Sequence, residues 1–199
     1  MKDAPGISRL EIAVSLQDAA WTDRLEDLEN LAGRSVGSAL AYLQSRSLAE
    51  PMKGVVEISL LFADDATVAE MNQAYRGRSG PTNVLSFPNM EAPHNVEVLG
   101  AAGGLPGDPD AGPPRLLGDI VLARETVLRE AAEQEKPLQD HTLHLLIHGL
   151  LHLLGYDHES DAEAEEMEAL EVAVLADLGV PDPYRRRPAM TPGMISEEN

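Results

Sequence analysis

HGLLHLLGYDH, residues 148–158, places three histidines at intervals of four and six residues. Leucine and isoleucine surround the first two, which predicts a buried helix with His148 and His152 one turn apart on one face. Gly155 can adopt the left-handed conformation that ends a helix, so the chain can turn back and bring His158 toward the same point. Three imidazole nitrogens would leave one tetrahedral position of a zinc ion open, as in catalytic sites. The sequence predicts a metal site at His148, His152 and His158, with core or capping histidines as the alternative.

One residue of this stretch departs from a known zinc-binding pattern. Metzincin proteases carry H-E-x-x-H-x-x-G-x-x-H, and Gly149 stands where their glutamate deprotonates water. Peptide hydrolysis needs that base and then a proton for the leaving amine. A phosphodiester needs a metal and an arginine to stabilise charge on its oxygens, and RNA carries its own nucleophile, the 2′-hydroxyl. Gly149 therefore favours phosphate chemistry over peptide chemistry.

The segment YRGRSGPTNVLSFP, residues 75–88, supplies cationic groups for such chemistry. Arg76 ends a predicted helix, and the planar guanidinium of arginine binds phosphate in a bidentate manner. A favourable charge at the C-terminal end of the helix dipole explains Arg76 equally well. Ser86, on the strand that follows, either bonds to substrate or occupies the polar face of that strand.

Further polar residues are candidates for support of the metal site. Asp119 in LLGDIVLAR and Asp157 beside the third histidine either orient a ligating imidazole or belong to turns. His141 and His144 precede the metal-site histidines on the same helix and are predicted to be surface groups or supports for the ligands. The acidic run 159–171 is predicted to be a solvated helix face.

The composition is that of one acidic chain without cysteine. Its 199 residues are 43% hydrophobic and carry a formal net charge of −19. The lack of cysteine excludes disulfides and thiolate-ligated zinc. The charge argues against a nucleic-acid binder that relies on diffuse phosphate contacts. No apolar run has the form of a secretory signal or reaches the roughly 18 residues of a membrane helix, so we expect a cytoplasmic protein without membrane contact.

Alternating and helical hydrophobic patterns predict an α+β fold with a small mixed four-stranded sheet and about five helices. The predicted strands are 8–16, 54–63, 82–88 and 116–124. The predicted helices start at residue 22 or 23 and at residue 64, and then span about 125–135, 138–154 and 160–179. Glycine and proline enrich residues 89–116, which predicts a long loop. We expect a single domain over residues 1–180 and a disordered tail over residues 181–199.

These motifs, together with AEEMEALE in the last helix, resemble the bacterial YbeY family in order and spacing from about residue 54 to residue 184. The resemblance implies a small sheet flanked by helices, with a cleft that holds zinc. It implies a metal-dependent endoribonuclease that cuts single-stranded RNA, matures the 3′ end of 16S ribosomal RNA and serves ribosome quality control. The partners that it implies are ribosomal RNA, the small ribosomal subunit with one of its proteins, and the GTPase Era.

Site residues follow from the same resemblance. The metal ligands that it implies are His148, His152 and His158, and it also implies that Arg76 contacts the substrate phosphate. Ser79 departs from the family, which usually has an acidic residue there, so the local charge is more positive. The loop 97–115 is longer than usual, which bears on substrate access rather than on chemistry.

Two other functions stay open at the level of sequence. A metalloprotease-like hydrolase would need a base from elsewhere, for which Glu159 is the candidate. A non-catalytic ribosome assembly factor would use the metal only to brace its fold. We expect one zinc ion per chain, and three-histidine sites also accept nickel or copper.

Overall fold

The computed structural model describes residues 9–48, 55–89 and 114–185. The strands are β1 (Arg9–Leu16), β2 (Val55–Ala63), β3 (Val84–Pro88) and β4 (Arg115–Ala123). The α-helices are α1 (Leu28–Ser45), α2 (Asp65–Arg76), α3 (Arg124–Glu133), α4 (Leu138–Leu153) and α5 (Asp161–Asp177), and a 3₁₀ turn spans Ala19–Trp21. The predicted α+β fold, with four strands and five helices in the described ranges, is confirmed.

The four strands form one mixed sheet in the order β1-β2-β4-β3. β1 pairs with β2, and β2 with β4, in parallel. β3 runs antiparallel to β4, with Ser86 opposite Ile120. The predicted hairpin-like pair between residues 82 and 124 is confirmed, and it places β3 at one edge of the sheet.

The two faces of the sheet are covered unequally. The larger core lies between the sheet and helices α1, α4 and α5, and it includes the fully buried Trp21, Phe62 and Leu146. A smaller apolar cluster on the other face joins Val68 of α2 to the sheet. Helix α4 packs against β3, β4, α1, α3 and α5, so its side chains are held by neighbours on several sides.

The first long helix begins later than predicted. Asp27 caps α1 by accepting a hydrogen bond from the Asn30 amide at 2.9 Å, so the helix begins at Leu28 rather than at residue 22 or 23. In the 3₁₀ turn before it, Trp21 donates its indole N–H to the Ala63 carbonyl at 3.0 Å. Burial of that indole against the sheet sets the path of the segment. The other predicted boundaries agree with the structure to within two residues.

Some predictions concern residues outside the described ranges. His94, the loop segment 97–113 and residues 186–199 lie there. The domain boundary at residue 180 stays a prediction, and the described residues 181–185 contact α5 through Tyr184. Within the described ranges, no helix combines the length and apolar character that crossing a bilayer requires.

Candidate metal centre

Helix α4 carries two of the three histidines, and the turn after it positions the third. Gly155 follows the helix with φ +90°, the left-handed conformation predicted from the sequence. The Tyr156 amide donates to the Leu151 carbonyl at 3.0 Å, which closes the turn. The chain reverses direction here, and the His158 ring comes to lie 5.0 Å from the His152 ring, centroid to centroid.

The three imidazoles lie close enough to share one ion. One ring nitrogen from each of His148, His152 and His158 lies within 4.8 Å of the other two. The Nε2 atoms of His148 and His152 are 3.1 Å apart. Two nitrogens on a tetrahedral ion would be about 3.3 Å apart at Zn–N lengths of about 2.0–2.1 Å. His148 and His152 are half-buried and His158 is exposed, so the cluster opens toward solvent on one side.

Hydrogen bonds to the second ring nitrogen orient two of the histidines. His148 donates its Nδ1–H to Glu171 Oε1 at 2.8 Å, and His152 donates its Nδ1–H to the Tyr156 carbonyl at 3.0 Å. In the tautomers with the proton on Nδ1, each Nε2 carries a lone pair, so these two atoms do not hydrogen-bond to each other. Carboxylates and carbonyls orient metal-ligating histidines in this way. The donor set therefore fits a divalent ion that prefers imidazole, such as zinc, nickel or copper.

His152 is held in the neutral form that binds metals. Burial, followed by the neighbouring His148 and His158 rings, lowers the pKa of His152 from 6.5 to about 4. At neutral pH this imidazole has no proton to release before it can bind a metal. The protonation state and the geometry of His152 thus both favour a role as a metal ligand.

Glu171 is a residue of the site that the sequence did not reveal. Its side chain is fully buried, and its carboxylate accepts hydrogen bonds from His148, from His144 Nε2 at 2.6 Å and from the Tyr184 hydroxyl. Burial raises the pKa of this carboxyl, but the bonds from His144 and His148 outweigh it and hold the pKa at about 2. The prediction that residues 159–171 form a solvated face is wrong at Glu171.

A signal for this burial lies in the spacing of α5. Glu171 follows Met167 by four residues and precedes Val174 by three, and both apolar neighbours are buried. The three residues therefore share the helix stripe that faces the core. Because a buried carboxylate needs partners, an acid on that stripe indicates a hydrogen-bonded site.

Replacing Glu171 with glutamine is expected to weaken zinc binding by about 10- to 100-fold, as loss of a ligand's outer partner does. Glutamine keeps the volume but removes the charge that strengthens the bond from His148. Competition with a chromophoric chelator measures the zinc dissociation constant. Glu168→Gln, at an exposed position of the same helix, is the control and should bind zinc like the unmodified protein. Equal affinities in the two variants would contradict the role of Glu171.

The two aspartates predicted as supports do not orient a ligating imidazole. Asp119 lines a cavity on the face of β4 opposite to Ile120, which packs on α4. Strand alternation thus carries Asp119 away from the histidines. Asp157 Oδ1 is 4.0 Å from His152 Nδ1, whose proton goes to the Tyr156 carbonyl instead.

The two upstream histidines of α4 hydrogen-bond to carboxylates. His144 reaches the site indirectly, through its bond to Glu171. His141 is buried, and its Nε2 lies 3.0 Å from Glu130 Oε2. In the described part of the chain neither ring joins the metal-ligand group. The prediction of a surface group or a support for the ligands agrees with His144 and is wrong for His141, which is buried and bonds to Glu130 instead.

Gly149 lets α4 approach the sheet closely. A Cβ atom at this position would lie 2.9 Å from Ile120 Cγ2 and 3.1 Å from Ser86 Oγ. Carbon atoms in optimal contact are about 3.5–4.0 Å apart, so a side chain here would push helix and sheet apart. Packing therefore excludes the glutamate that protease sequences carry at this point.

His152 and His158 line a cleft of about 510 Å³ that lies beside the edge strand β3. Residues distant in sequence meet in its lining, among them Arg76, Ser86, His152, His158 and Glu159. Nη2 of Arg76 donates to the Ser86 carbonyl at 3.5 Å. The structure thus brings the predicted phosphate-binding arginine into one cleft with two of the three predicted metal ligands.

Comparisons with known proteins cover most of the chain. A solution structure from Thermotoga maritima aligns with 90% of this chain and 99% of its own, at 22% identity and a TM-score of 0.46. Endoribonuclease YbeY of Paramagnetospirillum magneticum is 46% identical over 175 residues, 88% of this chain and 96% of that protein. Endoribonuclease YbeY of Dinoroseobacter shibae is 47% identical over 184 residues, 92% of this chain and 93% of that protein. The family model for endoribonuclease YbeY matches residues 24–179. With this match and these identities, the chain belongs to the YbeY family of endoribonucleases.

Proposed function

We propose that this chain is a zinc-dependent endoribonuclease that cuts single-stranded RNA. The observation that carries the proposal is the cleft that Arg76 shares with His152 and His158, two members of a group of three histidines able to hold one metal ion. When bound, zinc supplies Lewis acidity and a nucleophile at neutral pH. A cation and a guanidinium in one cleft suit a phosphodiester, because negative charge gathers on its non-bridging oxygens in the transition state.

The chain's own residues position the substrate and stabilise this charge. The bond from Arg76 to the Ser86 carbonyl is long, at 3.5 Å, so the guanidinium can turn to bind a phosphate through two N–H groups. Glu171 and the Tyr156 carbonyl keep the Nε2 atoms of His148 and His152 aimed at one point. Gly149 supplies no base, which favours a substrate that brings its own nucleophile.

We further propose ribosomal RNA as the substrate, with maturation of the 16S 3′ end and ribosome quality control as the roles. Support comes from the family, whose members are named endoribonucleases. The net charge of −19 limits affinity for free RNA. Docking on the small ribosomal subunit, through one of its proteins and the GTPase Era, is the proposed source of specificity, and the cytoplasm is the proposed location.

Replacing Arg76 with alanine is expected to lower the kcat of RNA cleavage by about 100-fold or more, because one cationic donor to the transition state is lost. Zinc content and the melting temperature should stay those of the unmodified protein, since the Arg76 side chain is exposed. The measurement is cleavage of a labelled single-stranded RNA oligonucleotide at saturating substrate.

Arg34→Ala is the matched control for this variant. Arg34 is also an exposed helical arginine, on α1, and it does not line the cleft. It should leave cleavage within about twofold. A similar loss in both variants would show that total charge, rather than the position of Arg76, governs the rate.

The observation that favours a second function, a metalloprotease-like hydrolase, is the presence of Glu159 in the cleft. Its carboxylate could replace the missing base. Incubation of the protein with casein and with single-stranded RNA, each with and without chelator, separates the two functions. If the protein cuts casein and leaves RNA intact, and Glu159→Gln abolishes the cleavage of casein, the protein is a metalloprotease-like hydrolase rather than a nuclease.

A further inference from the structure

Ser86, a residue of the cleft lining, has a buried hydroxyl group without a hydrogen-bond partner. Ser86 is only 7% exposed, and its Oγ makes no hydrogen bond to any residue that the structure describes. The fully buried Ser35 shows the usual situation, since its hydroxyl donates to the Ala32 carbonyl at 2.9 Å. A buried hydroxyl without a partner destabilises a fold, so such groups call for a specific explanation.

The position of Ser86 on β3 brings its side chain close to α4 and its carbonyl close to Arg76. Ser86 stands opposite Ile120 in the β3–β4 pair, so both side chains lie on the sheet face that α4 covers. Ser86 also lines the cleft that contains His152. Its carbonyl accepts the bond from Arg76, so one residue contacts the guanidinium and also directs a hydroxyl toward α4.

Gly149 adds a second observation about this hydroxyl. A Cβ atom at residue 149 would lie 3.1 Å from Ser86 Oγ. The metzincin pattern places the stem of its general base at this position, next to the first metal ligand. In this protein α4 has no side chain at residue 149, and the polar group nearest to the position of the absent Cβ atom is Ser86 Oγ, from the sheet.

We propose that Ser86 is a catalytic residue whose hydroxyl turns about the Cα–Cβ bond from α4 into the cleft and donates a hydrogen bond to a non-bridging oxygen of the scissile phosphate. The inference rests on the RNA cleavage proposed for this cleft. A serine hydroxyl is a neutral donor and acceptor, too weakly basic to replace a glutamate, but suited to an oxygen that gains negative charge. A donor without a partner in the free protein gains one in the transition state, which is the differential binding that accelerates a reaction.

The test compares Ser86→Ala with Ser35→Ala, which is the same change at a buried serine with a satisfied hydroxyl. We expect Ser86→Ala to lower kcat by about 100-fold, with KM within about twofold. Its zinc content should be unchanged, and its melting temperature equal to or above that of the unmodified protein, because an unsatisfied group is removed. Ser35→Ala should show the reverse, a lower melting temperature with kcat retained.

Cleavage of a sulfur-substituted RNA distinguishes a contact between Ser86 and the phosphate from a purely structural role of Ser86. Replacing one non-bridging oxygen of the scissile phosphate by sulfur weakens a hydrogen bond to that atom. One phosphorothioate diastereomer should therefore be cut slowly by the unmodified protein, and Ser86→Ala should discriminate less between the two diastereomers.

The outcomes separate this inference from the proposed function. If the unmodified protein cuts RNA and Ser86→Ala cuts at the same kcat, the role of Ser86 is overturned and the nuclease stands. A loss confined to KM, or a lower melting temperature in Ser86→Ala, also overturns the role, because the hydroxyl would then act in ground-state binding or in folding. If the unmodified protein leaves single-stranded RNA intact, the proposed function fails and the role of Ser86 fails with it.

Discussion

Replacement of His152 by alanine is expected to reduce zinc affinity by more than about 100-fold and RNA cleavage to the background of chelator-treated protein. Loss of an outer partner of a ligating histidine already weakens binding by about 10- to 100-fold, and loss of the ligand itself should exceed that. The pKa of His152 is about 4, because of burial and the adjacent rings, so the unmodified protein presents a neutral ligand at neutral pH. Elemental analysis of purified protein measures the first effect, and an RNA cleavage assay measures the second.

Whether His152→Ala still folds distinguishes a catalytic metal from a metal that only stabilises the fold. His152 is half-buried and lies outside the apolar core, so its removal should change the free energy of unfolding by about 1 kcal/mol or less. Chelator-treated unmodified protein is the matched control, because it keeps the side chain and loses the metal. If His152→Ala and the chelated protein both unfold, the metal braces the fold, and the non-catalytic assembly factor becomes the better reading.

Replacement of Gly149 by glutamate is expected to destabilise the protein by about 3 kcal/mol or more without creating a protease. The new Cβ would lie 2.9 Å from Ile120, and the carboxylate would be forced between helix and sheet. Overpacking costs about 1–3 kcal/mol, and burial of an unpaired polar group adds to it. Urea unfolding followed by circular dichroism measures the loss, and a casein assay tests for proteolysis.

Two alanine variants isolate the packing effect. Gly149→Ala is expected to destabilise by about 1 kcal/mol, because overpacking exceeds the gain in helix propensity. Gly37→Ala, in α1, is the control, since a Cβ atom there would meet nothing within 4 Å. It should stabilise by about 0.5–1 kcal/mol through propensity alone. Stabilisation of similar size in both variants would show that α4 has room at residue 149, and the packing account of Gly149 would be wrong.

The convergence of the three histidines could be predicted because it depends on local geometry. His148 and His152 are one turn apart in a helix that apolar residues define, and Gly155 indicates where that helix ends. The φ of +90° at Gly155 bears out that prediction. The antiparallel pairing of β3 with β4 could also be predicted from local spacing, since the predicted strands 82–88 and 116–124 lie on either side of a single loop.

Features that depend on how elements pack were harder to predict. Asp119 lies in LLGDIVLAR, where apolar residues occupy both parities, so the pattern does not say which face meets α4. Glu171 is surrounded by acids along the chain, and only the packing of α5 on α4 buries it beside His148. The start of α1 depends on the Asp27 cap, which competes with a helical pattern that extends further upstream.

The bond from Tyr184 to Glu171 makes the end of the described chain part of the metal centre. Burial and the Glu171 carboxylate raise the pKa of Tyr184, so its hydroxyl remains a donor at any physiological pH. Lys136 fastens the same segment by donating to the Pro183 carbonyl at 2.5 Å. A shortened protein that stops after α5 would leave the carboxylate that orients His148 open to water. Trimming this end for crystallisation or engineering therefore produces an altered metalloprotein, whose zinc affinity does not represent that of the whole chain.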